Sequence, residues 1–124
     1  MSEKKIVIID DDTRNIFALG ATLRAKGFQC QAFYDASEAI KELQKIPCDA
    51  VLIDMMMPDM DGYEAIPKIR QIPGREQIPI IAVTAQAMQG DKEKCLAAGA
   101  DEYISKPIDV DRLLSVLKEQ LTEH

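Results

Sequence analysis

The sequence predicts an α/β domain in three layers: a doubly wound, five-stranded parallel sheet, (βα)5, with helices on both faces. Short apolar runs alternate with segments of helical period, five of each along the chain. Such alternating βα units imply parallel strands joined by right-handed crossovers. The runs, among them Ile6-Val7-Ile8-Ile9, Val51-Leu52-Ile53 and Ile80-Ile81-Ala82-Val83, also lack the polar alternation of a half-exposed strand, so both sheet faces are covered. A length of 124 residues suits one domain with one core and is too short for two, so residues 1–124 are read as a single domain.

The first strand covers about Lys5 to Ile9. A helix follows from about Thr13 to Lys26, with Ile16, Leu19, Gly20 and Leu23 on one face, and Gly27 stops it. Phe28 to Phe33 forms the second strand. Asp35-Ala36-Ser37-Glu38 has the form of a capping box and starts a helix to about Gln44. Pro47 separates it from the third strand, Ala50 to Ile53. Met55 to Asp61 is a loop with Pro58 and an Asp-Gly turn. A third helix lies near Tyr63 to Arg70, and Pro67 inside it predicts an irregular or delayed first turn, because proline lacks an N–H and crowds the preceding turn. Pro73-Gly74 ends this unit. Ile78 to Val83 is the fourth strand, followed by a helix from about Gln86 to Ala98 that Gly99 closes. Glu102 to Ile104 is the fifth strand, and Asp109 caps a last helix running to about Leu121.

Acidic residues outnumber basic ones, 21 to 15, for a net charge of −6. That argues against a nucleic-acid partner, which needs clustered Lys and Arg. Cys30, Cys48 and Cys95 are odd in number and widely spaced, with no C-x-x-C, and are read as reduced thiols of a cytoplasmic protein. The amino-terminal apolar run is too short for a signal peptide, and no run approaches the ~20 residues of a membrane span, so no membrane insertion is expected.

The chemistry sits where the apolar runs end. Asp10-Asp11-Asp12 follows the first, Asp54 the third, Thr84 the fourth and Lys106-Pro107 the fifth. In a parallel sheet these tips meet at the carboxyl edge, where ligands bind in open α/β folds. Carboxylates brought together repel, and the remedies are protonation or a cation. Mg²⁺ takes about six oxygen ligands, commonly a few carboxylates with water and phosphate. The Thr84 hydroxyl can donate to a phosphoryl oxygen, and the Lys106 ammonium offsets carboxylate charge and pairs with phosphate. Pro107 makes a cis peptide available there. There is no G-x-x-x-x-G-K-[ST], and the one histidine is the terminal His124, so another molecule must donate the phosphoryl group.

These parts resemble the receiver domain of two-component response regulators over the whole chain. Ile-Ile-Asp-Asp-Asp is similar to the family's acidic first strand end, and Val-Leu-Ile-Asp-Met-Met-Met-Pro-Asp-Met-Asp-Gly to its phosphoacceptor strand and loop. Ala-Val-Thr-Ala matches its hydroxyl-bearing strand and Tyr-Ile-Ser-Lys-Pro its lysine-proline strand. The resemblance implies a flavodoxin-like sheet of order 2-1-3-4-5. It implies Asp54 as the phosphoacceptor. Mg²⁺ would be held by Asp11 directly, by Asp10 partly through water, and by Asp54 and the backbone carbonyl of Met56. Thr84 and Lys106 would bind phosphoryl oxygens, with small Ala85 leaving access, and Thr84 and Tyr103 would form the conformational switch.

The implied donor is a phosphohistidine on a histidine kinase or histidine phosphotransfer protein. It would dock on Arg14, Asn15, Ala18, Pro107 and Ile108, which flank Asp54. The implied output surface is the fourth helix, fifth strand and fifth helix, facing a downstream protein or domain. Such a chain is a switch that catalyses only its own phosphorylation and dephosphorylation, whether it stands alone or belongs to a larger protein such as a hybrid kinase. Met56 and Gln86 would tune the lifetime of the phosphoryl group, apolar Met56 shielding it from water.

Rival readings are weaker. A haloacid-dehalogenase-like phosphohydrolase would use Asp10 within D-x-D-x-[TV], but Arg14 fails the last position. A calcium loop built on Gly62 would need acids where Met57 and Lys68 stand. A degenerate receiver acting only as an interaction module would lack part of the set Asp10, Asp11, Asp54, Thr84 and Lys106, which is complete.

Overall fold

The computed structural model describes residues 3–85 and 90–122. Five strands, β1 (Lys5–Ile9), β2 (Gln29–Phe33), β3 (Ala50–Asp54), β4 (Ile80–Thr84) and β5 (Glu102–Ser105), alternate with five helices. The helices are α1 (Thr13–Ala25), α2 (Ala36–Glu42), α3 (Gly62–Arg70), α4 (Asp91–Ala98) and α5 (Val110–Thr122). All four strand pairings are parallel, and the strand order is β2-β1-β3-β4-β5. The predicted architecture and order are therefore both observed.

The pleat divides each strand between two cores. Val7, Ile9, Val51, Ile53, Ile80 and Ala82 pack against Ala39 of α2 and Leu43 just after it, Ala65, Ile66 and Ile69 of α3, and Cys95 of α4. Ile6, Ile8, Leu52, Ile81 and Ile104 pack against Ile16, Leu19 and Leu23 of α1 and Leu113, Val116 and Leu117 of α5. Every residue of β3 and β4 is buried, which is why these runs are continuously apolar until a polar residue is reached at the strand end.

Local chemistry sets the helix ends. Asp12 caps α1, its side chain accepting from the N–H groups of Arg14 and Asn15. Asp35, Asp61 and Asp109 cap α2, α3 and α5 in the same way. Gly27 closes α1 with φ +94°. The Phe28 N–H reaches the Leu23 carbonyl and the Gly27 N–H that of Arg24, each at 3.0 Å. This Schellman arrangement assigns Phe28 to the helix end, so β2 begins one residue later than predicted.

Other boundaries differ too. α2 ends at Glu42 rather than near Gln44, and β4 begins at Ile80, after Pro79. α3 has no delayed first turn: it runs unbroken from Gly62, a residue earlier than predicted. Pro67 is exposed and forfeits only the bond to the first-turn carbonyl of Tyr63, while Asp61 caps the helix securely. α4 is observed from Asp91; the predicted start at Gln86 lies outside the described residues. No described helix is long and apolar enough to cross a membrane.

Gly62 brings α3 against the strand end that carries Asp54. A Cβ there would lie 2.3 Å from the Met55 sulfur and 2.9 Å from the Met55 Cα. Helix propensity alone favours Gly→Ala by about 1 kcal/mol. Gly62→Ala is expected to do the opposite and destabilise by about 1–3 kcal/mol through overpacking, read from the urea midpoint; a raised midpoint would show that Met55 and α3 move aside freely.

Candidate functional site

The four strand ends meet as predicted. Asp10 follows β1, Asp54 and Thr84 are the last residues of β3 and β4, and Lys106 follows β5. Asp10, Asp54 and Thr84 are polar yet buried, at 3%, 6% and 1% exposure, while Asp11 is exposed. Carboxylate oxygens of Asp10, Asp11 and Asp54 lie within 4.8 Å of one another. The Lys106 ammonium stands 3.3 Å from Asp10 Oδ2 and 3.3 Å from Asp54 Oδ2. Its own backbone N–H donates to the Thr84 carbonyl at 2.8 Å, so β4 holds the lysine in place. The Lys106–Pro107 peptide is cis.

Hydrogen bonds orient the acids. Asp54 Oδ1 accepts from the Met56 N–H at 2.9 Å. Asp10 Oδ1 accepts from the Asp12 N–H at 2.9 Å, and Oδ2 from the Asn15 side-chain amide at 2.7 Å. Burial, followed by the repulsion of Asp10, pushes the Asp54 carboxyl above its ordinary range, against the pull of the Met56 N–H and Lys106. Burial by itself would lower Lys106, but the charges of Asp10 and Asp54 outweigh it and raise the ammonium. One cation thus faces three carboxylates, and negative charge remains in excess.

That excess suits a hard divalent cation. Opposed ligands of Mg²⁺ lie about 4.2 Å apart, from bonds of about 2.1 Å, close to the spread of the three carboxylates. Among the described residues the donor set is all oxygen, with neither histidine nor thiolate, which favours Mg²⁺ over transition metals.

The other predicted residues fall around this centre. Tyr103 packs half-buried against the core that contains Ala82, its partner in the strand register. Its phenol is pushed up by burial and then by Asp91 and Cys95. Asn15, Ala18, Pro107 and Ile108 line one groove between α1 and the loop after β5, with Lys106 at its wall. Arg14 is exposed on the same first turn but does not line the groove. The Met56 side chain is 47% exposed beside the site, whereas Gln86 lies outside the described residues. The Asn15–Asp10 bond has no signal in the sequence, since nothing separates a helix-start asparagine that faces solvent from one that faces inward.

A family model for the response regulator receiver domain matches residues 6–118. The chain belongs to the response regulator receiver domain family. It is 39% identical over 112 residues to the signal transduction histidine-protein kinase BarA of Escherichia coli, and 38% identical over 117 residues to the sensor histidine kinase RcsC of the same organism. These matches cover 90% and 94% of the chain but 12% of each kinase. Among solved structures, a response regulator from Chloroflexus aurantiacus superposes with a TM-score of 0.93 at 30% identity, covering 98% of this chain and 100% of that one. The receiver domain of a Pseudomonas aeruginosa sensor histidine kinase, which holds a magnesium ion in its active site cleft, gives 0.89 at 33% identity, covering 97% and 98%. The receiver domain thus serves two-component phosphorelay signalling, and the dehalogenase-like and calcium-loop readings fall away.

The raised Asp54 carboxyl makes a stability prediction. A carboxyl whose folded pKa lies above its ordinary value of 3.8 supports folding fully below that value, and the support is lost as pH rises through the folded value. Asp54→Asn is therefore expected to be more stable than the native chain at pH 7 in a chelator, read as a higher Tm. The advantage should vanish once the pH falls below the ordinary carboxylate range. Thermal melts at both pH values check this; a lower Tm at pH 7 would mean that the Lys106 contact outweighs burial and repulsion.

Proposed function

We propose that this receiver domain takes a phosphoryl group onto Asp54 from the phosphohistidine of a histidine kinase or histidine phosphotransfer protein, with Mg²⁺ as cofactor. The observation that carries the proposal is the single ammonium of Lys106 set 3.3 Å from both Asp10 and Asp54 in a buried, carboxylate-rich strand-end site. Asp10 is the poorer nucleophile, because three donors, the Asp12 N–H, the Asn15 amide and Lys106, hold its oxygens, against two, the Met56 N–H and Lys106, on Asp54.

In the proposed step an Asp54 oxygen bonds to phosphorus in line with the departing imidazole. The phosphorus–nitrogen bond breaks, the nitrogen takes a proton, and Asp54 becomes an acyl phosphate. Mg²⁺ held by Asp10, Asp11, Asp54 and the Met56 backbone carbonyl would neutralise charge on the phosphoryl oxygens. Lys106 pairs with one of those oxygens and the Thr84 hydroxyl donates to another. Thr84 drawn toward the phosphoryl group opens space for Tyr103 to turn inward, which alters the face of α4, β5 and α5 read by an output partner. Asn15, Ala18, Pro107 and Ile108, with Arg14 at the margin, form the proposed docking surface for the donor. Three free thiols suit a cytoplasmic location.

Acetyl phosphate with Mg²⁺ is expected to label the chain at one site, and Asp54→Asn is expected to abolish the label in intact-mass and acid-stability assays. Labelling of the Asn variant at the native level would refute Asp54 as acceptor. Loss with Asp10→Asn alone would transfer the role to Asp10.

Docking is separable from chemistry. Ala18→Glu, in the groove wall, is expected to slow transfer from a phosphohistidine donor at least tenfold, about 1.4 kcal/mol, and to leave acetyl phosphate labelling unchanged. Equal slowing with both donors would place the damage in the site itself.

A further inference from the structure

Asn15 stands third in α1, after the capping residue Asp12. A polar side chain at that position commonly reaches back to the N–H of the capping residue. Here that N–H is already taken: Asp12 donates it to Asp10 Oδ1 at 2.9 Å. The Asn15 amide instead donates to Asp10 Oδ2 at 2.7 Å. The amide nitrogen must be the atom facing Asp10, because a carboxylate offers only acceptors. Asp12 Oδ1 in turn accepts from the Asn15 N–H at 3.3 Å, which fixes the backbone that aims the amide. Asp10, Asp12 and Asn15 therefore close a ring of hydrogen bonds around one buried carboxylate.

Asp10 has two other neighbours of consequence. Lys106 pairs with the same Oδ2 at 3.3 Å, and the oxygens of Asp11 and Asp54 lie within 4.8 Å. Repulsion from the two acids would turn Asp10 away from the cluster, and a lysine ammonium shared with Asp54 does not by itself fix the carboxylate plane of Asp10. A short neutral donor on a rigid helix turn does, without adding charge. We propose that Asn15 is a positioning residue for the cation site: its side-chain amide holds Asp10 facing the divalent ion, so that this residue of the docking groove also sets the affinity for Mg²⁺. The inference rests on the cation-site reading above and deepens it. Partners that orient metal-binding groups in this way typically contribute about 10–100-fold in affinity.

The test uses Asn15→Leu, which keeps the branched shape and removes the donor, with Asn15→Ala as the second variant should the bulkier Leu disturb folding. Mg²⁺ alone is titrated and followed by amide NMR shifts, and acetyl phosphate labelling is measured from low to saturating Mg²⁺. The expected result is Mg²⁺ affinity lowered about tenfold, with labelling slowed at low Mg²⁺ and restored at saturation. In an Asp10→Asn background the Asn15 substitution is expected to have no further effect on affinity, because it acts through that carboxylate. Native Mg²⁺ affinity in both Asn15 variants, with slowing only from a phosphohistidine donor, would overturn the proposal and leave Asn15 a docking residue. An undiminished effect in the Asp10→Asn background would also overturn it. Absence of Mg²⁺ binding in the unsubstituted chain would instead overturn the cation-site reading on which the proposal rests.

Discussion

Two carboxylates buried on neighbouring strands, Asp10 and Asp54, share the ammonium of Lys106, and much of the structure answers to that arrangement. Burying one acid beside another is unfavourable, and the cost appears as the raised Asp54 carboxyl. The domain tolerates it because Lys106 reaches both acids and backbone N–H groups of Asp12 and Met56 supply fixed donors. The charge that remains is an affinity held in reserve, since a divalent cation or a phosphoryl group with its cation can relieve it. Structural tension and proposed chemistry are thus one electrostatic fact.

The sheet makes this possible through register. β1, β3, β4 and β5 are parallel, so their carboxyl ends lie together, and Ile9, Ile53 and Val83 anchor the last buried positions beneath the polar tips. Arginines secure the opposite parts of the fold. Arg70 binds the Gly99 carbonyl and Asp101, while Arg75 binds the carbonyls of Leu43 and Cys48. These anchors tie loops to helix ends at the edge of the sheet away from the acids.

The first helix turn joins two proposed roles. Asp12 caps it, Asn15 turns inward to Asp10, and Ala18 with Asn15 lines the groove beside Lys106. A donor seated in that groove would touch a side chain already bonded to the acidic centre. Recognition of the partner and readiness for phosphoryl transfer would then share a residue, with no long path between them.

The sequence by itself determined the elements, their parallel pairing and the identity of the strand-end acids, hydroxyl and lysine. Those follow from local rules: apolar runs of strand length, capping aspartates, glycine stops, and the alternation that brings strand tips to one edge. Its errors were local as well. The apolar side chain of Phe28 suits a strand and does not reveal that its N–H closes α1, and a proline within a helical run predicts a defect because sequence does not show that Pro67 faces solvent behind a firm cap. The tertiary structure alone decided which oxygen meets which donor. That Lys106 bridges Asp10 and Asp54, that Asn15 turns toward Asp10, and that Gly62 must lack a Cβ against Met55 depend on ångström-scale distances between residues remote or differently oriented along the chain. Periodicity fixes which face a side chain occupies, whereas hydrogen bonds and close contacts depend on how two faces meet.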